Sequence, residues 1–170
     1  MYHAPNVQLS GTSYCLSDGK AGIFQTIRIM RRMVRDYKID PAIRQAAVNV
    51  AFLTPEKMQR AEAQSVFEFV RDNIRYVRDI AGVETLMTPD KTLATRIGDC
   101  DDQTVLLASM LESIGYLTRF VVTGYSDPKV LEHVYLQVLI DGAWVNADPT
   151  EREPFGYAPP DPVIMYAEKV

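Results

Sequence analysis

The sequence predicts an α+β chain in which helices come first and strands after. Three observations carry that expectation. Apolar residues recur at helical spacing from about Gly22 to Ile114, the period changes to two after Gly115, and Asp141-Gly142 sits between two strand-like runs. At 170 residues the chain is long enough for one domain with a real hydrophobic core. No internal repeat, low-complexity tract or composition break marks a linker, so 1–170 reads as a single domain.

Residues 1–20 are rich in Gly, Ser, Pro and Asn and read as an extended arm or small hairpin. Cys15 and His3 lie in it, with nothing to fix their geometry. From about Gly22 to Lys38 the pattern turns helical, with Ile23, Ile27, Met30, Val34 and Tyr37 on one face. Arg28, Arg31, Arg32 and Arg35 occupy the opposite side. A face of that kind is ordinarily solvated, but it could also meet phosphate or an acidic partner. Asp40-Pro41 supplies an N-cap and first-turn pair for a short helix to about Val50. Thr54-Pro55 repeats the signal for a longer helix ending near Tyr76, with Met58, Val66, Phe67, Val70 and Ile74 as core candidates. Residues 79–98 carry Gly82, Pro89 and few periodic apolar positions. They read as an ordered connection, and Glu84, Thr85 and Thr88 are candidate walls of a substrate cleft.

Gly98-Asp99-Cys100-Asp101-Asp102 opens the next helix. Asp99 is a good N-cap, because its carboxylate can accept from the backbone N–H groups two and three residues on. Cys100 then stands at the first helical position, where unpaired N–H groups and the helix dipole favour thiolate. The flanking carboxylates oppose that, since like charge disfavours the anion. Thr104, Leu107, Leu111 and Ile114 share helical spacing with Cys100, and Val105, Leu106 and Ala108 widen the apolar stripe up to a glycine stop at Gly115. A cysteine on such a stripe is ordinarily core filling. Chemistry would have to come from downstream.

Leu117 to Tyr125 reads as a strand and Ser126-Asp127-Pro128 as a turn. Val134–Ile140 and Ala143–Ala147 read as strands joined by the two-residue turn Asp141-Gly142, which pairs Ile140 with Ala143 and so sets Tyr135 opposite Asp148. His133 is two residues from Tyr135, and strand side chains alternate with period two. His133 and Asp148 therefore emerge on one face as diagonal neighbours, within side-chain reach. A carboxylate that fixes the tautomer of an imidazole is what a general base needs.

Composition excludes several classes. A net charge of −4 gives no reason to expect nucleic acid or an anionic membrane as partner. Two cysteines and two histidines, without a Cys-x-x-Cys pair, make neither a disulfide framework nor a zinc site. The acidic trio Asp99, Asp101 and Asp102 lacks the loop spacing and glutamate of a calcium site. No phosphate-cradling glycine loop is present, so no cofactor is implied. No apolar run approaches the roughly 20 residues that span a bilayer. The first residues lack signal-peptide features, which points to a reducing cytoplasm.

These residues together resemble a known family. Phe69-Val70-Arg71-Asp72-Asn73-Ile74-Arg75-Tyr76, Gly98-Asp99-Cys100-Asp101-Asp102, Glu132-His133-Val134-Tyr135, Asp141-Gly142-Ala143-Trp144 and Asp148-Pro149-Thr150 look like the core of transglutaminase-like proteins, in motif order over roughly residues 66–150. The likeness is to the small bacterial and bacteriophage members. One departure is Val134-Tyr135, where an aromatic usually follows the histidine region directly. The resemblance implies a papain-like core in which N-terminal helices and a Cys-bearing helix pack on an antiparallel β-meander. Residues 1–50 would be arm and helices, 51–150 the catalytic core and 151–170 a C-terminal tail. It further implies Cys100 as nucleophile, His133 as base and Asp148 as its orienter, acting on a peptide or protein amide through a thioester. Gln103 and Tyr76 are alternative oxyanion donors beside the Cys100 N–H, and Glu84, Thr85 and Trp144 are candidate substrate contacts. Members of the family also include inactive scaffolds. A structural module is thus the competing expectation, with helix 28–35 meeting a phage or bacterial partner, in a bacterial cytoplasm or on a virion.

Overall fold

A computed structural model describes residues 19–52, 58–79, 85–127, 130–157 and 160–170. His3, Cys15 and Glu84 lie outside these residues, as does Thr54-Pro55. Helices α1 (Lys20–Tyr37) and α2 (Pro41–Ala51) follow the expected pattern. Ile27, Met30 and Val34 are buried along α1, and the Asp40 carboxylate caps α2 by accepting from Ala42 N–H at 2.8 Å and Ile43 N–H at 3.0 Å. The basic side of α1 is partly paired: Arg31 bonds Glu168 at 2.5 Å and Arg32 lies 3.7 Å from Asp36.

Helix α3 (Gln59–Asn73) buries Ala63, Val66, Phe67 and Val70. Met58, expected in the core, is 57% exposed at its start. The helix also stops before Tyr76. Ile74 is extended, and the Arg75 and Val77 N–H groups bond the carbonyls of Arg96 and Gly98. Arg75–Tyr76 (β1) thus forms a short parallel pair with Ile97–Gly98 (β2). Non-local backbone pairing overrides the helical period there, a competition that the local pattern does not reveal. The connection expected over 79–98 contains a helix, α4 (Pro89–Thr95), with Pro89 in its first turn and only Pro89 and Thr92 buried. Seven residues are too few for a periodic signal.

The last helix, α5 (Cys100–Ser113), is the hub. Its neighbours are α1, α2, α3 and α4 as well as the sheet, so it is buried nearly all round rather than along a stripe. The sheet has the order β5-β4-β3-β6, with β3 (Thr118–Gly124), β4 (His133–Ile140), β5 (Ala143–Ala147) and β6 (Ile164–Lys169), antiparallel throughout. Asp141 and Gly142 both take positive φ, 50° and 80°, as a two-residue primed turn requires, and Ile140 pairs with Ala143 as expected. Strand β6 falls where a tail was expected. Its residues are mostly exposed, so its sequence lacks the apolar alternation of a half-buried strand. Val134, Leu136, Val138 and Ile140 point from β4 into the core shared with α5, while His133, Tyr135, Gln137 and Leu139 occupy the other face.

Candidate active site

Cys100 occupies the first position of α5, half-buried. The Asp99 side chain accepts from the Asp101 and Asp102 N–H groups at 3.1 and 3.3 Å, and Asp102 reaches back to the Asp99 N–H at 3.4 Å. This reciprocal cap uses the N–H groups of the first turn and holds the cysteine at the helix mouth. The cap needs Gly98, because a Cβ there would lie 2.8 Å from Asp102 Cβ. Thr104, one turn on, bonds the Val134 carbonyl at 3.3 Å, and the Val134 N–H donates to the Cys100 sulfur. The sulfur is thereby set against the backbone next to His133.

The environment does not lower the thiol pKa. Burial pushes it well above its ordinary value, and Asp101 and then Asp99 add to the effect; the Val134 N–H works against them. The advantage expected from the helix dipole is outweighed, because its partial charge is smaller than two nearby carboxylates and desolvation together. Cys100 rests as a thiol.

His133 Nε2 lies 2.6 Å from Asp148 Oδ2. Gln137–Asn146 and Leu136–Ala147 are paired without a bulge between them, so the diagonal relation of His133 and Asp148 follows directly from the hairpin register. His133 and Tyr135 rings stack with centroids 6.1 Å apart, as side chains two positions apart on one face should. The other carboxylate oxygen, Oδ1, accepts from Thr150 N–H at 3.1 Å and Thr150 Oγ1 at 2.7 Å. Asp148 is nine-tenths buried and held from both ends. Thr150 was not among the expected site residues. Its signal was the Asp-Pro-Thr turn itself, where a side-chain oxygen captures the N–H two residues on.

Tyr76 and Gln103 come to the same region. The Tyr76 hydroxyl, on a residue 49% exposed, is held above its ordinary pKa, first by partial burial. Gln103 donates Nε2 to the Gly98 carbonyl at 3.0 Å, and its Oε1 is buried with no hydrogen-bond partner among the described residues. The amide is oriented by that contact, since only the nitrogen can face a carbonyl. Gln103 therefore turns an acceptor, rather than its full donor capacity, to its surroundings. Both side chains line a cleft of about 470 Å³ between residues 71–76 and residues 149–152.

The other expected contacts have partners of their own. Thr85 gives its N–H and its hydroxyl to Asp79, closing its own loop. Thr88 is the extended N-cap residue of α4. Trp144 pairs with Leu139 and carries the Arg119 guanidinium over its ring at 4.4 Å, beside an Arg119–Gln137–Asn146 hydrogen-bond chain. It stands four positions before Asp148, about 13 Å of strand. Asp102, one of the carboxylates flanking Cys100, has a structural part of its own. It is buried, bonds Met87 N–H at 2.7 Å, and so ties the 85–88 segment to the cysteine helix. Burial raises its carboxyl to about 7 against the donated N–H groups of Met87 and Asp99.

A cysteine on a helix mouth, packed against a sheet whose hairpin joins a histidine to an aspartate, defines a thiol-protease-like class of α+β architecture. Residues 46–149, more than half of the chain, match the family model of the transglutaminase-like superfamily, and the chain belongs to that superfamily. Among curated proteins none matches the sequence. Two solved structures share the fold. A candidate protease from Parabacteroides distasonis superposes with a TM-score of 0.61 at 11% identity, over 76% of this chain and 26% of that one. A candidate cysteine protease from Cytophaga hutchinsonii gives a TM-score of 0.55 at 13% identity, over 79% of this chain and 52% of its own. This chain thus spans about a quarter and about half of those proteins. No helix among the described residues is long and apolar enough to cross a membrane.

Proposed function

We propose that this chain transfers or hydrolyses the acyl group of an amide or peptide bond, with Cys100, His133 and Asp148 as nucleophile, base and orienter. The 2.6 Å contact of His133 Nε2 with Asp148 Oδ2 carries the reading, beside the helix mouth that presents Cys100. Membership of the superfamily supports it. Asp148 engages Nε2, which assigns proton exchange with the thiol to Nδ1. As the sulfur attacks the amide carbon, Nδ1 takes the thiol proton and an oxyanion forms. The Cys100 N–H and the Tyr76 hydroxyl stabilise that charge. The C–N bond then breaks, Nδ1 returns the proton to the leaving amine, and a thioester on Cys100 remains. Water as acceptor gives an acid; an amine gives a new amide.

The raised thiol pKa shapes this mechanism. Because Cys100 rests protonated, deprotonation accompanies attack, and no standing thiolate–imidazolium pair is needed. The same observation favours a second reading, a structural module that keeps the architecture without turnover. Its binding surface would include Arg28 and Arg35, exposed on α1, and its setting would be a bacterial cytoplasm or a phage particle. Incubation with a pool of amide and peptide substrates separates the two readings. Mass spectrometry should find an acyl adduct on Cys100 and product release that Cys100→Ala abolishes. A folded Cys100→Ala protein with unchanged turnover overturns the enzymatic assignment, and absence of both adduct and product supports the module.

A further inference from the structure

The cleft beside the candidate site has a chemical character of its own. One wall is the end of α3 and β1, with Arg71, Asp72 and Arg75; the other is the turn that follows Asp148, with Thr150, Glu151 and Arg152. Arg71 is committed: it pairs with Asp72 at 2.7 Å, bonds the Glu153 carbonyl and lies over the Phe67 ring. Arg75 and Arg152 are exposed, and neither forms an ion pair with another described residue. With Asp72 engaged by Arg71, two guanidinium groups face a single uncompensated carboxylate, Glu151. The cleft is locally cationic on a chain whose net charge is −4. Gln103, which also lines the cleft and is 1% exposed, holds a buried carbonyl oxygen that no group among the described residues satisfies. An orphaned buried acceptor is costly unless a ligand N–H meets it.

We infer that this cleft binds a peptide-like chain carrying a carboxylate close to the reacting amide: Arg75 and Arg152 take the carboxylate and Gln103 Oε1 accepts an amide N–H. A guanidinium matches a carboxylate with two parallel N–H donors, so a pair of them on opposite walls selects charge and shape together. The cleft is lined by Gln103, three positions along α5 from Cys100, and its second wall follows Asp148 directly in the chain, so a ligand seated in it lies next to the candidate site. The substrate class is therefore acidic. This rests on the acyl-transfer reading for the identity of the reacting amide, but binding does not need turnover.

The test uses the Cys100→Ala protein and two matched hexapeptide pools, random except for one fixed residue, Glu in the first and Gln in the second. Retained peptides are counted by mass spectrometry at low and at 0.5 M salt. The expected result is about tenfold better retention of the Glu pool, lost at high salt and in Arg75→Gln/Arg152→Gln. Gln103→Leu should weaken both pools alike, since it removes an N–H acceptor and no charge. Equal retention of the two pools overturns the proposal, as does a Glu preference that survives the double arginine variant. A Glu preference without any acyl adduct in the wild-type protein sinks the catalytic reading and leaves the acidic-ligand site. Turnover without a Glu preference does the reverse. Both arginines are exposed, so the variants should keep the native thermal unfolding midpoint.

Discussion

Nε2 of His133 and Oδ2 of Asp148 meet at 2.6 Å because the two-residue turn Asp141-Gly142, eight positions after His133 and six before Asp148, sets the register between their strands. The contact is anchored from behind, since Thr150 occupies the other carboxylate oxygen. Asp148→Asn keeps the shape but offers an N–H, or a weaker acceptor, to the ring. The preferred tautomer is lost, and kcat on an amide substrate should fall by about 100-fold or more with the fold intact. Thr150→Val should cost less, about tenfold, by letting Asp148 turn. An Asp148→Asn enzyme with wild-type kcat would exclude the orienting role.

The thiol of Cys100 is held protonated by burial and by Asp101 and Asp99. Alkylation by iodoacetamide should therefore be slow at pH 7 and still climbing at pH 9, since only the thiolate reacts. Asp101→Asn removes the nearer charge, 3.7 Å from the sulfur, and should shift the rate–pH curve to lower pH, speeding reaction at pH 8 severalfold. Asp99 is a poorer choice for this measurement, because it also caps the helix.

The Asp102 carboxyl, raised to about 7 by burial, makes stability depend on pH in a direction opposite to that of an ordinary salt-bridged aspartate. Its unfolded value is about 3.9. Between those values the folded protein holds a proton that the unfolded chain has lost. This contribution is therefore fully present below about pH 4 and is lost as pH rises through 7. The loss is on the order of 3 kcal/mol. Urea unfolding at pH 4.5 and 7.5 should show it as a difference between wild type and Asp102→Asn, which lacks the titrating group. Identical pH slopes in the two proteins would rule it out.

Gly98 is constrained by the same cap. A methyl group at that position would press on Asp102 Cβ at 2.8 Å and on Thr92 at 3.2 Å. Gly98→Ala should destabilise the protein by about 2 kcal/mol, the scale of an overpacked core, and slow any Cys100 chemistry by displacing the helix mouth. Thermal unfolding with and without the substitution measures the first effect, and the alkylation rate the second.

Much of the site was legible from local sequence because local rules produce it. An aspartate before a helix caps it, and Asp141-Gly142 sets a register that carries His133 and Asp148 to one face; both depend on residues close in the chain. The rest depended on partners distant in sequence. Backbone pairing with residues 96–98 ended α3 early, and β3 recruited residues 164–169 as an edge strand with little apolar pattern of its own. Trp144 carries Arg119, from another strand, over its ring, a neighbour that its own stretch of sequence does not reveal. The thiol's pKa was likewise decided in three dimensions. Helix position alone favours the anion, but desolvation by everything packed on α5 dominates, and desolvation is a property of the assembled core.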